Sequence, residues 1–280
     1  MKVFVIGTKD DTPVFQALQA INDEQGLGLD LSFTELAKMS DKYISYFYQD
    51  RISQNDDSQN DDSQTPIIAI IKGAPTLIQM DNHAIIKSHL NWQSLTQRIV
   101  SAGRKSELVL QACKLTAQMS VIDGTAGFGH DGLILASSGA SVLMVEQNPV
   151  MALLLHHEHA KMHANPNWHK LLQRITIRHQ NFLCAEFTQT LHKADVVYLD
   201  PMFPSESYSA KVGKNMQILH KLAAPPSADD EAQFFKMAQN CLAQGGKIVV
   251  KRPLSAPFLA QRTPSQSIAN DAIRFDRYDG

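Results

Sequence analysis

Asp123, Glu146 and Asp200 each close a short apolar run, in "SVID", "SVLMVE" and "VVYLD". Carboxylates at the ends of buried strands can accept hydrogen bonds from a ligand seated beyond those ends, or balance its charge. The first opens "VIDGTAGFGHDG", which contains G-x-G-x-x-G as Gly127, Gly129 and Gly132. That pattern belongs to dinucleotide turns, where the backbone and a helix start hold a pyrophosphate. Asp123 would repel a pyrophosphate, whereas a ligand with an ammonium and a sulfonium reverses the sign of the interaction. S-adenosyl-L-methionine is such a ligand. Glu146 lies 22 residues beyond Gly124, where an acidic side chain accepts hydrogen bonds from the ribose hydroxyls of an adenosine. It serves either ligand.

Asp200 separates the two chemistries. It begins "DPMFP", which resembles the D/N-P-P-Y/F motif of methyltransferases acting on exocyclic amines of nucleobases. Such an amine is a poor nucleophile because its lone pair is delocalised into the ring. A carboxylate and a backbone carbonyl that accept its two N–H bonds favour the pyramidal form in which the pair is freed. Asp200 and the Pro201 carbonyl are candidates for those acceptors. Proline sets the direction of that carbonyl, and Phe203 is a candidate face for an extruded base to stack on.

These residues need a scaffold that brings strand ends together. From about residue 120, strands ("SVID", "SVLMVEQ", "RITIRHQ", "ADVVYLDP", "KIVVKRP") alternate with helices ("HDGLILASSG", "PVMALLLHHEHAKMH", "DDEAQFFKMAQNCLAQGG"). Pro149 suits a first helical turn, and the last helix has an acidic start and a Gly-Gly stop. Alternation of this kind predicts a parallel sheet covered on both faces, with its ligand at the carboxyl ends. The spacing also predicts a helix over "WQSLTQRIVSAGRKSELVLQAC". Upstream, "KVFVIG", "PIIAII" and "APTLIQM" read as strands, with "LSFTELAKMS" a weaker one. The fold class is therefore α/β: a Rossmann-like sheet over 91–280, preceded by a small α+β domain over 1–90. The tandem repeat "SQNDDSQNDDSQ", within 53–64, reads as a disordered surface loop.

Charge is uneven along the 280 residues. Residues 1–65 carry 5 Lys and Arg against 12 Asp and Glu, and residues 66–280 carry 21 against 16. A weakly basic body is compatible with RNA binding without requiring it. Three separated cysteines, Cys113, Cys184 and Cys241, form no C-x-x-C. They read as core residues in a reducing cytoplasm, with no zinc site. No apolar run approaches the roughly 18 residues that span a bilayer. His156, His159 and His163 share a helical face and read as solvated rather than metal-binding. Lys211, Lys214, Lys251 and Arg252 are candidates to meet phosphates, and Ser205 and Ser207 lack a partner set for nucleophilic catalysis.

The run "DGTAGFGHDGLILASSGASVLMVEQNPVMALLL", with "VVYLDPMFP" and "VVKRP" after it, resembles the bacterial ribosomal RNA small subunit methyltransferase J family over roughly residues 90 to 280. The resemblance implies S-adenosylmethionine as cofactor, 16S ribosomal RNA as partner and N2-methylguanosine as product. It also implies cofactor contacts at His130-Asp131, Glu146-Gln147, Asn181-Phe182 and Asp200. His130 and Gln147 stand where that family usually has arginine, and Asn181-Phe182 where it has Ser-Ser. Three rival readings remain at this point: a NAD-dependent oxidoreductase, an adenine-N6 nucleic-acid methyltransferase, and a non-catalytic RNA-binding factor.

Overall fold

A computed structural model of the chain describes all residues except 54–64, 82–83, 104, 204–217 and 219–221. Contacts divide the described residues into two units: Met1–Leu90 with Ile218, and the remainder from Asn91 onward. The repeat begins at the last residue of a helix, Ser53; the rest of it lies outside the described residues.

The first unit contains β1 (Lys2–Gly7), α1 (Thr12–Glu24), β2 (Asp30–Glu35), α2 (Asp41–Ser53), β3 (Ile67–Ile71), β4 (Ala74–Asp81) and β5 (Ala84–Ser88). Its sheet runs in the order β2-β1-β3-β4-β5. The first three strands are parallel and the last two are added as antiparallel hairpins. Phe4, Ile6, Ile67 and Ile78 from the strands pack with Ile44 and Phe47 of α2, which is how this helix buries its apolar residues.

The second unit holds α3 (Thr96–Ser101), α4 (Leu108–Cys113), β6 (Ser120–Asp123), α5 (His130–Ser137), β7 (Ser141–Glu146), α6 (Pro149–His163), α7 (His169–Leu172), β8 (Ile175–His179), α8 (Ala185–Gln189), β9 (Ala194–Leu199), α9 (Ala228–Cys241), β10 (Leu242–Pro253), β11 (Gln266–Ala269) and β12 (Ile273–Asp279). The strand order is β11-β12-β10-β9-β6-β7-β8. Strands β8, β7, β6, β9 and β10 are mutually parallel. Order reverses between β6 and β9, so the crevice beyond their carboxyl ends is the ligand position of such a sheet. Ile122, Val197, Leu199, Ile248 and Val250 pack under α9 through Phe234, Phe235 and Met237.

Three expectations are corrected. The sheet is mixed, because β12 runs antiparallel to both β10 and β11. The Asn270 side chain accepts the Ala272 and Ile273 amides and closes a short turn, which can join only antiparallel strands. The helix expected over Trp92–Cys113 breaks into a 3-10 turn (Trp92–Leu95), α3 and α4. Ala102 adopts an extended conformation and the Gly103 amide donates to the Ser106 hydroxyl instead of to a helical carbonyl. Gly245-Gly246 does not stop α9, which ends at Cys241; the pair lies inside β10, where register with β9 shifts. Among the described residues no helix is long and apolar enough to cross a membrane.

Candidate active site

The turn between β6 and α5 is built by close packing below and unusual backbone above. A Cβ on Gly124 would lie 2.8 Å from Leu199 and 3.0 Å from the Phe182 ring. Gly127 and Gly129 have φ of 52° and 74°, a region that side chains disfavour. Trp92, fully buried, clamps this turn: its indole N–H donates to the Phe128 carbonyl at 2.9 Å. Its own amide donates to the buried Glu158 carboxylate at 3.0 Å.

Around this turn three strand ends and the first turn of α5 place four carboxylates. Asp123, at the end of β6, is 1 % exposed and accepts the Thr125 amide at 3.2 Å. Burial, followed by the nearby charges of Asp131, Asp200 and Glu146, pushes it well above the usual carboxylate range. Glu146, at the end of β7, accepts the Gly127 amide and the Asn148 amide, each at 2.8 Å. Burial raises it although those bonds oppose the shift. Asn148 in turn caps α6 through the Val150 and Met151 amides, with Pro149 in the first turn. Asp200 follows β9, and its amide donates to the Thr125 hydroxyl at 2.6 Å. Its side chain remains 28 % exposed, open enough to meet a substrate. Asp131, in the first turn of α5, accepts from the Tyr198 hydroxyl at 2.7 Å.

One cation joins this group. The Lys251 ammonium donates to Asp131 at 2.9 Å and to Asp200 at 2.8 Å. Burial opposes its charge, but the two aspartates hold its pKa above the usual lysine range. Burial raises Asp200 although Lys251 opposes it. At Asp131 burial acts upward, but Lys251 and the Tyr198 hydroxyl bring it below its ordinary value. Burial lowers His130, with Asp131 opposing.

The structure thus brings together Asp123, Gly127, Gly129, His130, Asp131, Glu146 and Asp200. Gln147 is exposed beside them, and its carbonyl meets His179 Nε2 at 3.2 Å. Asn181 is exposed and its side chain accepts the Leu183 amide. Phe182 and Phe203 stand differently. The Phe182 ring is 2 % exposed, stacked on Phe234 at 6.3 Å, so it supports the turn from beneath. The Phe203 ring is 4 % exposed, with the Arg252 guanidinium 4.6 Å from its centroid, so in this conformation it offers no face for stacking.

Lys251 and Arg252, candidates to meet phosphates, are both engaged with carboxylates. Lys251 bridges the aspartates, and Arg252, 1 % exposed, donates twice to Glu231 at 2.9 Å. Lys211, Lys214, Ser205 and Ser207 lie outside the described residues. His156 and His159 are half-buried rather than solvated, and burial lowers His156 to about 4. Among the described residues no trio of His, Cys, Asp or Glu is arranged to hold a metal. Cys113 and Cys241 are buried; Cys184 is half-buried, its thiol against Glu186 at 3.1 Å.

The donor set suits a cationic adenosine ligand. Four acidic side chains against one bonded lysine disfavour a pyrophosphate and suit a sulfonium with an ammonium. The fold and this charge pattern define an S-adenosylmethionine-dependent methyltransferase. In agreement, the family described as "Putative SAM-dependent methyltransferase" matches residues 56–280. A SAM-dependent methyltransferase of Neisseria gonorrhoeae has a similar fold, with a TM-score of 0.66 at 22 % identity, covering 100 % of this chain and 96 % of its own. Ribosomal RNA small subunit methyltransferase J of Psychrobacter cryohalolentis is 52 % identical over 205 residues, 67 % of this chain and 69 % of that one. The same protein of Acinetobacter baylyi is 37 % identical over 203 residues, 69 % and 74 % of the two chains. The chain belongs to the ribosomal RNA small subunit methyltransferase J family.

Proposed function

We propose that this enzyme methylates the exocyclic N2 amine of a guanosine in 16S ribosomal RNA, in the cytoplasm. The observation that carries the reading is Asp200: a partly exposed carboxylate closing β9 beside the glycine turn, with only Oδ2 bonded among the described residues. The names of the relatives support the RNA substrate.

S-adenosylmethionine, held at Glu146 and Asp123, would supply an electrophilic methyl on its sulfonium for the N2 lone pair and would depart as the neutral thioether. Asp200 Oδ1 accepts one N–H of the amine and the Pro201 carbonyl the other, which turns the lone pair out of the ring. Asp200 then takes the proton that N2 gives up and passes it to solvent. Glu146 holds the ribose hydroxyls, and Asp123 balances the charge of the methionine end. Phe203, buried under Arg252, anchors the Asp200-Pro201 turn from the core side.

The test is incubation of the protein with labelled S-adenosylmethionine and 16S RNA, free or in the small subunit, followed by nucleoside mass analysis. N2-methylguanosine is expected. N6-methyladenosine would move the reading to the adenine class, and no transfer to either form would overturn it.

A further inference from the structure

Asp200 can orient an amine only if its carboxylate is held in one rotamer and carries its charge. It stands in unfavourable company for that. Asp123 on β6, Glu146 on β7 and Asp131 on α5 are all acidic, and Tyr198 on β9 presents a neutral hydroxyl to Asp131. Arg98 on α3 acts on Asp131, but its guanidinium makes a bidentate pair with Glu107 at 2.8 and 2.7 Å. Among the described residues, the cation bonded to these carboxylates is Lys251 alone, reached from β10 on the far side of β9.

We propose that Lys251 is a positioning residue for methyl transfer: by bridging Asp131 and Asp200 it fixes the Asp200 carboxylate through Oδ2 and leaves Oδ1 to the incoming amine. The inference rests on the function proposed above. Its geometry is a continuous chain, Tyr198 hydroxyl to Asp131 to Lys251 to Asp200, with contacts of 2.7, 2.9 and 2.8 Å. Asp131 is the second anchor of this chain. It holds the ammonium in place, so Asp200 does not have to order a flexible lysine by itself. The Asp200 amide, tied to the Thr125 hydroxyl, fixes the backbone under the same carboxylate. Lys251 also favours the charged form of Asp200 against burial and the neighbouring charge of Asp131, as an opposite charge at this distance does. Lysine in "VVKRP" is thereby explained without a phosphate.

The experiment is the pH dependence of kcat for transfer to 16S RNA by wild type, Lys251→Met and Lys251→Arg, with unfolding midpoints measured in parallel. For Lys251→Met the acid limb is expected to move up by about one to three pH units, and kcat at pH 7 to fall about tenfold or more. Lys251→Arg is expected to leave the limb within a few tenths of a unit of wild type. An unmoved limb in a folded Lys251→Met enzyme would overturn the proposal, as would unchanged kcat. If Lys251→Met fails to fold, Lys251→Gln, which retains an N–H donor, is expected to show the same limb shift; unfolding of both would make the ion pair purely structural and also overturn it. Absence of transfer by wild type would instead count against the substrate reading, so the two failures are distinguishable.

Discussion

The turn after β1 and the turn after β6 both carry Gly-Thr: Gly7-Thr8 in the first, Gly124-Thr125 in the second. Both glycines are there for close packing. A Cβ on Gly7 would lie 2.9 Å from Asp11 Cβ, and one on Gly124 would lie 2.8 Å from Leu199. The carboxylates differ. Asp11 is partly exposed, and its Oδ2 accepts both the amide and the hydroxyl of Thr8 at 2.8 Å, so it serves the start of the next helix. Asp123 is buried, accepts one amide, and stands beside three further acidic side chains. Glycine after a strand therefore marks a tight turn in both units; a buried, under-bonded carboxylate marks a site in one.

The largest effect that separates the turns is expected from Trp92→Ala. Removing a fully buried tryptophan costs about 3–5 kcal/mol, and here it also frees the Phe128 carbonyl within the glycine turn. Loss of stability should come with weaker binding of S-adenosylhomocysteine, read by chemical denaturation and calorimetry. Retained stability would mean that the clamp is unimportant.

A smaller effect with a definite pH sign is expected from Asp123→Asn. Burial raises Asp123 in the folded state above its unfolded value, so the folded protein binds that proton more tightly than the unfolded chain. Its stability contribution is present below the unfolded carboxylate range and is lost as pH rises through the folded value. The neutral variant should raise the unfolding midpoint at pH 7.5, by about 2–4 °C for each kcal/mol released, with the gain vanishing near pH 3. It should also bind S-adenosylhomocysteine more weakly. A midpoint lowered at pH 7.5 would show that the charge stabilises the fold.

Asp11→Ala is expected to do least, a loss of about 1 kcal/mol as for other capping residues, with S-adenosylhomocysteine binding unchanged. Weakened binding in that variant would break the distinction between the two turns.

Much of the second unit was legible because its strands end in chemically odd residues. A carboxylate after "SVI", "LMV" or "VYL" is conspicuous against the apolar run, and strand-helix alternation places those ends together. Lys251 stands out in "KIVVKRP" only as a cation that could meet phosphate, and its bridging role is hidden. Its partners lie 120 and 51 residues away, separations that no local pattern encodes. Trp92 opens the segment that helical spacing predicts, and its clamp onto Phe128 and Glu158 spans 36 and 66 residues. Phe203 follows an amine-orienting motif and was read as a stacking face; Arg252, from a strand much later in the chain, covers its ring. In the acidic first unit strands are legible in the sequence but neither α1 nor α2 is; α1 buries only Leu18, and α2 buries Ile44 and Phe47 against β1 and β3, packing that no local pattern displays.

The central claim is that the carboxylate closing β9 orients the amine that receives the methyl group. Its most direct test is transfer of labelled methyl from S-adenosylmethionine to 16S RNA by Asp200→Ala, with the unfolding midpoint measured on the same preparation. A folded protein is expected whose transfer falls by about a hundredfold or more, the usual scale for losing a group that acts on the transition state. Methylation near the wild-type rate by that variant would contradict it.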